Sequence, residues 1–426
     1  MILEFTAGIL AAGGLAWACL EERGRTDGTK IQKIAKYSGL IKRSDKETHT
    51  IHLLARRKRE WGNEFVYRIP LGFSFDDFLE KRKKFEDGLN LKVHLWDNIQ
   101  ISRLLKLKWD KTLLLQLRKI ANEPRPRKEV IMDYDGALII RVYRTPMPKE
   151  INVTIEDLDE CKGWKVWIGT DRSGEKIYLD FEKRPHVIIA GATGFGKSEI
   201  VKLIITILTH IQPDNIKFHL ADLKGGTELG RFKDMRQVLD FERRPDETEA
   251  MLERVKNDME ETLDWLYDNG FNSVKQAGIK ERHFVIIDEA ADIANKIKCV
   301  SLVTDIARRG RSAGYRLIYA TQYPTNETLP SQVRANVGNR IVFRLETGAQ
   351  SLASLDEKGA ESLPEIEGRA IFRQVTNKIV QTPLIDDTLI NQVVKVNLKA
   401  RKEDFKREEP KKRATSGRDT IIIKKA

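Results

Sequence analysis

The chain has 426 residues, 41% hydrophobic and 32% charged, which excludes wholesale disorder and a polytopic membrane protein and calls for two or three domains. Its 75 Lys and Arg against 63 Asp and Glu leave a net charge of +12, which invites an anionic partner. That excess sits at the ends: residues 21–62 carry 12 basic and 6 acidic side chains, residues 396–426 carry 11 and 5, and residues 179–385 carry 29 and 30. Cys19, Cys161 and Cys299 are far apart and the pair His49 and His52 has no further ligand at metal spacing, so neither a disulfide framework nor a zinc site is expected.

In chain order, residues 2–20 form an apolar stretch whose only charge is Glu4; as a helix it spans about 28 Å, enough for the hydrocarbon core of a bilayer. Arg23, Arg25, Lys30, Lys33 and Lys36 follow it and no Lys or Arg precedes it. The expected topology is therefore a single pass through the cell membrane with the rest of the chain in the cytoplasm. Residues 21–48 then make a basic juxtamembrane segment suited to anionic headgroups.

HTIHLLARR and EFVYRIP read as two strands about Trp61–Asn63, followed by an acidic-capped helix over 74–89 and a strand near 91–95, a small α+β domain over 49–121. Pro124 and Pro126 mark a boundary within 122–127. VIMDYDGALIIRVYR and WKVWIGTDRSGEKIYLDF read as hairpins turning at Tyr134–Gly136 and Asp171–Gly174, a β-rich lead-in over 128–180. From Pro185 the apolar runs 186–190, 216–222, 283–288, 316–322 and 340–346 alternate with helix-length segments. That pattern predicts an α/β domain with a parallel sheet over 181–385, and residues 386–426 are a charged tail.

Chemistry gathers at the strand ends. Gly191, Ala192, Thr193, Gly194, Phe195, Gly196, Lys197 and Ser198 spell a phosphate-binding loop between the strand at 186–190 and a helix over 198–211, with Glu199 in its first turn. Its backbone N–H groups curl about phosphates, Lys197 reaches the outer ones, and Ser198 offers a hydroxyl to Mg²⁺. The strand His283–Asp288 ends in two carboxylates, Asp288 to hold Mg²⁺ and Glu289 to polarise the attacking water. Gln322 ends the next strand, where an amide can sense the terminal phosphate. Arg308 and Arg311 precede that strand and suit a finger reaching into a neighbouring subunit. No guanine-reading motif follows Asp288, so ATP is the expected nucleotide.

These blocks, with ADLKGGTELGRF (221–232), VIIDEAADI (285–293), ARRGRSAGYRLIYATQYPT (307–325) and RANVGNRIVFRLETGAQSLASLDEKGAESL (334–363), resemble the motor domain of the FtsK/SpoIIIE DNA translocases over about residues 165–385. The resemblance implies a RecA-like P-loop motor with a parallel sheet, a homo-oligomer of hexameric form, ATP and Mg²⁺ at subunit interfaces, and DNA in the pore. It makes Arg311 the first choice of finger and Arg308 the second, with Arg334 and Lys224 as DNA contacts. Tyr323 stands where the family usually has Arg, and the tail is too short for an orienting winged-helix module. The short EFVYRIPLGFSFDDFLEKRKKFEDGLN is similar to the coupling-type translocases of Gram-positive conjugative plasmids and integrative elements. The expected function is therefore a DNA translocase at the membrane during element transfer, with relaxase and transfer-channel proteins as further partners. The alternatives are a protein-export ATPase and a segregation translocase lacking the orienting module.

Overall fold

The computed structural model describes residues 27–43, 48–91 and 127–399. The expected membrane span at 2–20 and most of the charged tail lie outside the described residues. Among the described residues no helix is long and apolar enough to cross a membrane. The described residues fall into two compact units, those up to Pro148 with Asp171–Glu175, and Lys149–Thr170 with those from Lys176 onward.

The first unit contains α1 (Asp27–Tyr37), β1 (His52–Arg59), β2 (Gly62–Arg68), α2 (Phe75–Glu80), α3 (Arg82–Asn90), β3 (Glu129–Tyr134) and β4 (Leu138–Tyr143). Its antiparallel sheet has the order β1-β2-β4-β3. Alternation along β2 and β4 turns Phe65, Tyr67, Leu138 and Ile140 into one core with Ile31, Ala35, Phe78, Phe85 and Leu89 from the helices. Ser74 caps α2 through a reciprocal bond with Asp77, which explains its start. The helix read over 74–89 is two helices meeting at Lys81.

Two domain boundaries are corrected. The hairpin 129–143 completes the sheet of the first unit instead of leading into the motor, because β4 pairs with β2 across six residue pairs from Gly62↔Tyr143 to Tyr67↔Leu138. Part of the basic juxtamembrane segment is α1, whose Ile31 and Ala35 are fully buried and whose Gly28 carbonyl accepts a bond from Tyr67 Oη at 3.2 Å. Its lysines lie on the outer face of an amphipathic helix.

The second unit contains α4 (Ile155–Glu160), β5 (Lys165–Asp171), β6 (Lys176–Asp180), β7 (Val187–Ala190), α5 (Lys197–Ile211), β8 (Ile216–Asp222), β9 (Val238–Glu242), α6 (Pro245–Asp268), β10 (Arg282–Asp288), α7 (Ile297–Ala313), β11 (Tyr315–Thr321), α8 (Ser331–Asn336), β12 (Asn339–Phe343), α9 (Gly348–Leu355), β13 (Arg369–Arg373), β14 (Asn377–Gln381) and α10 (Asp387–Val396). One ten-stranded sheet runs β9-β8-β10-β11-β7-β12-β13-β14-β5-β6. The first six strands are parallel, and β12 with β13, β13 with β14, and β5 with β6 pair antiparallel.

Helices cover both faces of the parallel part, so strands such as β7 and β11 are buried along their whole length. One core gathers Ile200, Ile204 and Leu208 of α5 with Phe218 and Phe284, and the other gathers Met251 and Val255 of α6 with Ile306 of α7. Leu389, Ile390 and Val393 of α10 join the first core, so residues 387–396 belong to the motor and not to a free tail. All five apolar runs became parallel strands in the expected places. β9 and the antiparallel β13–β14 pair had no such legible run.

Candidate active site

Parallel pairing brings the carboxyl ends of β7, β10 and β11 to one edge of the sheet, with β11 between the other two. There the chain from Gly191 to Ser198 turns into α5. Gly194 has φ 84° and Gly196 φ 109°, the left-handed region in which a side chain is strained, and a Cβ on Gly191 would stand 2.6 Å from Phe343 Cβ. The loop leads into the N-terminus of a fifteen-residue helix, where free N–H groups favour an anion.

A cleft of about 370 Å³ opens over this loop, lined by Ala192, Thr193, Gly194, Gly196, Lys197, Ser198 and Glu199 on one wall. Gln322, Lys224 and Glu228 flank it, and Ile151 with Gln381–Leu384 closes the far end. Gly191 and Phe195 support the loop from beneath: Gly191 N–H donates to Thr321 O at 3.3 Å, and Gly368 N–H donates to Phe195 O at 3.0 Å.

Lys197 Nζ lies 2.5 Å from Asp288 Oδ1 and 3.8 Å from Glu289 Oε2. Asp288 is fully buried, and its Oδ2 and Glu289 Oε2 have no hydrogen-bond partner among the described residues. A buried carboxylate oxygen left unpaired is costly unless a cation or a donor fills the place, so Asp288 with the Ser198 hydroxyl fits a divalent cation. Glu199, by contrast, pairs with Lys202 on its own helix.

Glu289 holds φ 63° in a non-glycine residue, a strain that aims its carboxylate at the backbone of Gln322. Gln322 N–H donates to Glu289 Oε1 at 3.2 Å, and Gln322 Oε1 accepts from Thr193 Oγ1 at 2.9 Å. Phosphate loop, β11 end and Glu289 therefore form one connected chain of contacts.

The arginines stand elsewhere. Arg308 and Arg311 lie at the end of α7, which Gly314 stops with φ 90°, and this end leads into the start of β11. The seven residues of β11 at ~3.3 Å each put that edge roughly 20 Å from Thr321. Arg308 pairs with Asp305 at 2.7 Å and stays 62% exposed, while Arg311 is exposed and makes no ion pair among the described residues.

Behind Arg311, Arg316 Nη1 donates to the Arg311 carbonyl at 3.3 Å, and Glu182 joins the nearly buried Arg316 and Arg282. Burial draws the Arg316 guanidinium down to about 10 although Glu182 holds it up. His186 accepts Leu317 N–H on Nδ1 at 2.9 Å, and burial followed by Arg316 and Arg311 pushes it down to about 3, so it is neutral.

The two expected DNA contacts lie in different surroundings. Arg334 donates to Ala353 O at 3.0 Å and to Asn326 Oδ1 at 3.0 Å, and its side chain is 17% exposed, turned inward to hold α8 and α9. Lys224 lines the nucleotide cleft itself. The loop that carries it follows a strand whose end neighbours Asp288 in the sheet, a pairing that sequence spacing does not reveal.

Residues 159–373 match the FtsK/SpoIIIE family model. The chain is 28% identical over 402 residues to the DNA translocase SpoIIIE of Bacillus subtilis, covering 86% of this chain and 50% of that protein. It spans between about a third and a half of the length of the curated relatives it matches. Among solved structures it is similar to the monomer form of the pCW3 conjugation coupling protein TcpA with ATPγS, with a TM-score of 0.57 at 18% identity over 87% of this chain and 99% of that one. The cytoplasmic domain of the type VII secretion ATPase EccC of Thermomonospora curvata aligns with a TM-score of 0.50 at 22% identity over 56% of this chain and 31% of that one.

Proposed function

Because the chain belongs to the FtsK/SpoIIIE family of P-loop ATPases, we propose that it is a RecA-like ring motor that hydrolyses ATP to move DNA at a membrane, in the transfer of a conjugative plasmid or integrative element. The interposed strand β11 between the phosphate-loop strand and the Asp288 strand supports the RecA-like reading. The observation that carries the ring is the separation across the sheet. Arg308 and Arg311 stand roughly 20 Å from the phosphate loop of their own chain. On this reading they reach a triphosphate only in a neighbouring copy, and a hexamer of like subunits, the form the family resemblance implies, completes each site.

Within one site the loop N–H groups and Lys197 bind and orient the triphosphate. Mg²⁺, when bound, neutralises charge on the phosphates, and Ser198 with Asp288 would hold it. Glu289 orients the water and receives its proton as the water oxygen attacks the terminal phosphorus and the bond to ADP breaks. Gln322 links Glu289 to Thr193, so a terminal phosphate arriving at the loop disturbs the hydrogen bonds that set the base. The arginine from the neighbour stabilises charge on the transferring group.

Conjugative transfer is supported by the extent of the likeness to the coupling protein, 99% of that chain. The membrane anchor at 2–20 and the relaxase or channel partners belong to the same proposal. Protein export is the second reading, favoured by the likeness to the secretion ATPase. The deciding experiment measures ATP hydrolysis by the full chain with duplex DNA, single-stranded DNA or neither, and displacement of a triplex-forming oligonucleotide. Stimulation and displacement are expected. No response to either DNA form, together with stimulation by a secreted polypeptide, would reverse the ranking.

A further inference from the structure

The loop after β8 is built to present a lysine to the nucleotide cleft. Asp222, fully buried at the end of β8, accepts three backbone N–H bonds: Lys224 N at 3.3 Å on Oδ1, and Glu228 N at 2.9 Å and Leu229 N at 2.7 Å on Oδ2. Gly226 N–H returns to Asp222 O at 3.2 Å, and Leu223 N–H donates to Asp288 O at 3.3 Å, so the loop is tied to the strand that carries the catalytic carboxylates. Gly225 and Gly226 both lie in the left-handed region, with φ 80° and 84°, and a Cβ on Gly226 would stand 2.6 Å from Arg243 Cδ. The backbone of Lys224 is therefore immobilised from both sides. Its side chain lies along the cleft wall with no ion pair among the described residues.

Charge gives that placement a purpose. The cleft is lined by Lys149, Lys197 and Lys224 against four glutamates, so it holds one negative charge in excess before any nucleotide enters. Lys197 is already bound to Asp288. A triphosphate brings about four more negative charges, and an unpaired ammonium on a rigid loop is a ready counter-charge.

We propose that Lys224 is a second phosphate-contacting lysine of this site, holding the terminal phosphate of ATP together with Lys197. This rests on the reading of the cleft as a nucleotide site. It assigns the Lys-Gly-Gly loop to ATP turnover and not to DNA.

The test compares the full chain with Lys224→Ala and Lys224→Arg, each checked for an unchanged thermal transition. Four quantities are measured: affinity for a fluorescent ATP analogue, affinity for inorganic tripolyphosphate, DNA-free hydrolysis, and duplex oligonucleotide binding by anisotropy. Lys224→Ala should weaken ATP and tripolyphosphate about tenfold, the loss of one charge-assisted contact, and lower DNA-free turnover. Lys224→Arg should recover part of both, and duplex affinity should not move. Unchanged tripolyphosphate affinity and turnover would overturn the proposal, and a fall in duplex affinity alone would make Lys224 a DNA contact instead. Failure of the parent chain to bind ATP, or binding that survives Lys197→Ala, would overturn the nucleotide-site reading itself, a result distinct from either.

Discussion

The two edges of the large sheet are chemically opposite. At the carboxyl edge, glycines in left-handed conformations make room for a ligand, and Asp288 Oδ2 and Glu289 Oε2 are buried without a hydrogen-bond partner among the described residues. At the amino edge, Arg282 and Arg316 are buried about one Glu182, His186 is held neutral, and Arg308 and Arg311 project from a helix end. One edge is short of positive charge and the other has it in surplus. A parallel sheet imposes this division, because every strand delivers its carboxyl end to the same side and crossover helices return the chain to the other. In the proposed ring, each copy carries half of two sites, an unfinished nucleotide cleft and the arginines for another.

The sharpest way to break the comparison is to remove the surplus. Arg311→Ala should lower kcat about a thousandfold or more while ATP affinity is retained, the scale of an arginine acting in trans. Mixing it with Glu289→Gln subunits should restore part of the activity, since some interfaces then contain both intact halves. Steady-state hydrolysis across mixing ratios checks this, and no recovery at any ratio would place the arginine outside the neighbour's site.

Acting on the opposite edge, Glu289→Gln alone should cut kcat about a hundred- to ten-thousandfold, the range for losing a general base. Binding of a fluorescent ATP analogue to this variant should be unchanged or tighter.

The support of the arginine edge is tested through stability. Glu182→Ala leaves two buried guanidiniums without their shared carboxylate, a change that costs about 3–5 kcal/mol in such pairs. Urea unfolding followed by Trp fluorescence reads it. Glu182→Gln should cost less, because an amide oxygen still accepts from one arginine.

The smallest effect is that of pH. His186 is neutral when folded, down to about 3, and protonates in the unfolded chain near 6.5. Its contribution is fully present above pH 6.5 and is lost as pH falls from there toward 3, at about 1.4 kcal/mol per pH unit. Urea midpoints at pH 6.5, 5.5 and 4.5 should show that slope, with little change from pH 7.5 to 6.5, and His186→Gln should flatten it.

Much of this was legible beforehand for a local reason. The phosphate loop, the Asp288–Glu289 strand end and the five parallel strands announce themselves because each lies in one short stretch of glycines, carboxylates or continuous apolar residues. The boundary at 122–127 misled because the hairpin 129–143 looks the same whether it starts a new domain or finishes the previous sheet. Only its pairing with Gly62–Arg68 distinguishes the two. The surroundings of Arg334 and Lys224 were not legible: a basic residue between strands carries no mark of whether it turns into the protein, as Arg334 does toward Ala353 O, or lines the cleft, as Lys224 does.

The amino-acid sequence by itself determined the chemistry of this protein, since a glycine-rich turn and a strand ending in two acids are local patterns with local physical causes. Tertiary structure alone decided geometry and ownership. Strand order set which ends meet at the cleft, burial left Asp288 Oδ2 without a hydrogen-bond partner among the described residues, and about seven residues of strand separated Arg311 from the phosphate loop of its own chain. Those properties arise from contacts between residues far apart in the chain, which no window of sequence contains.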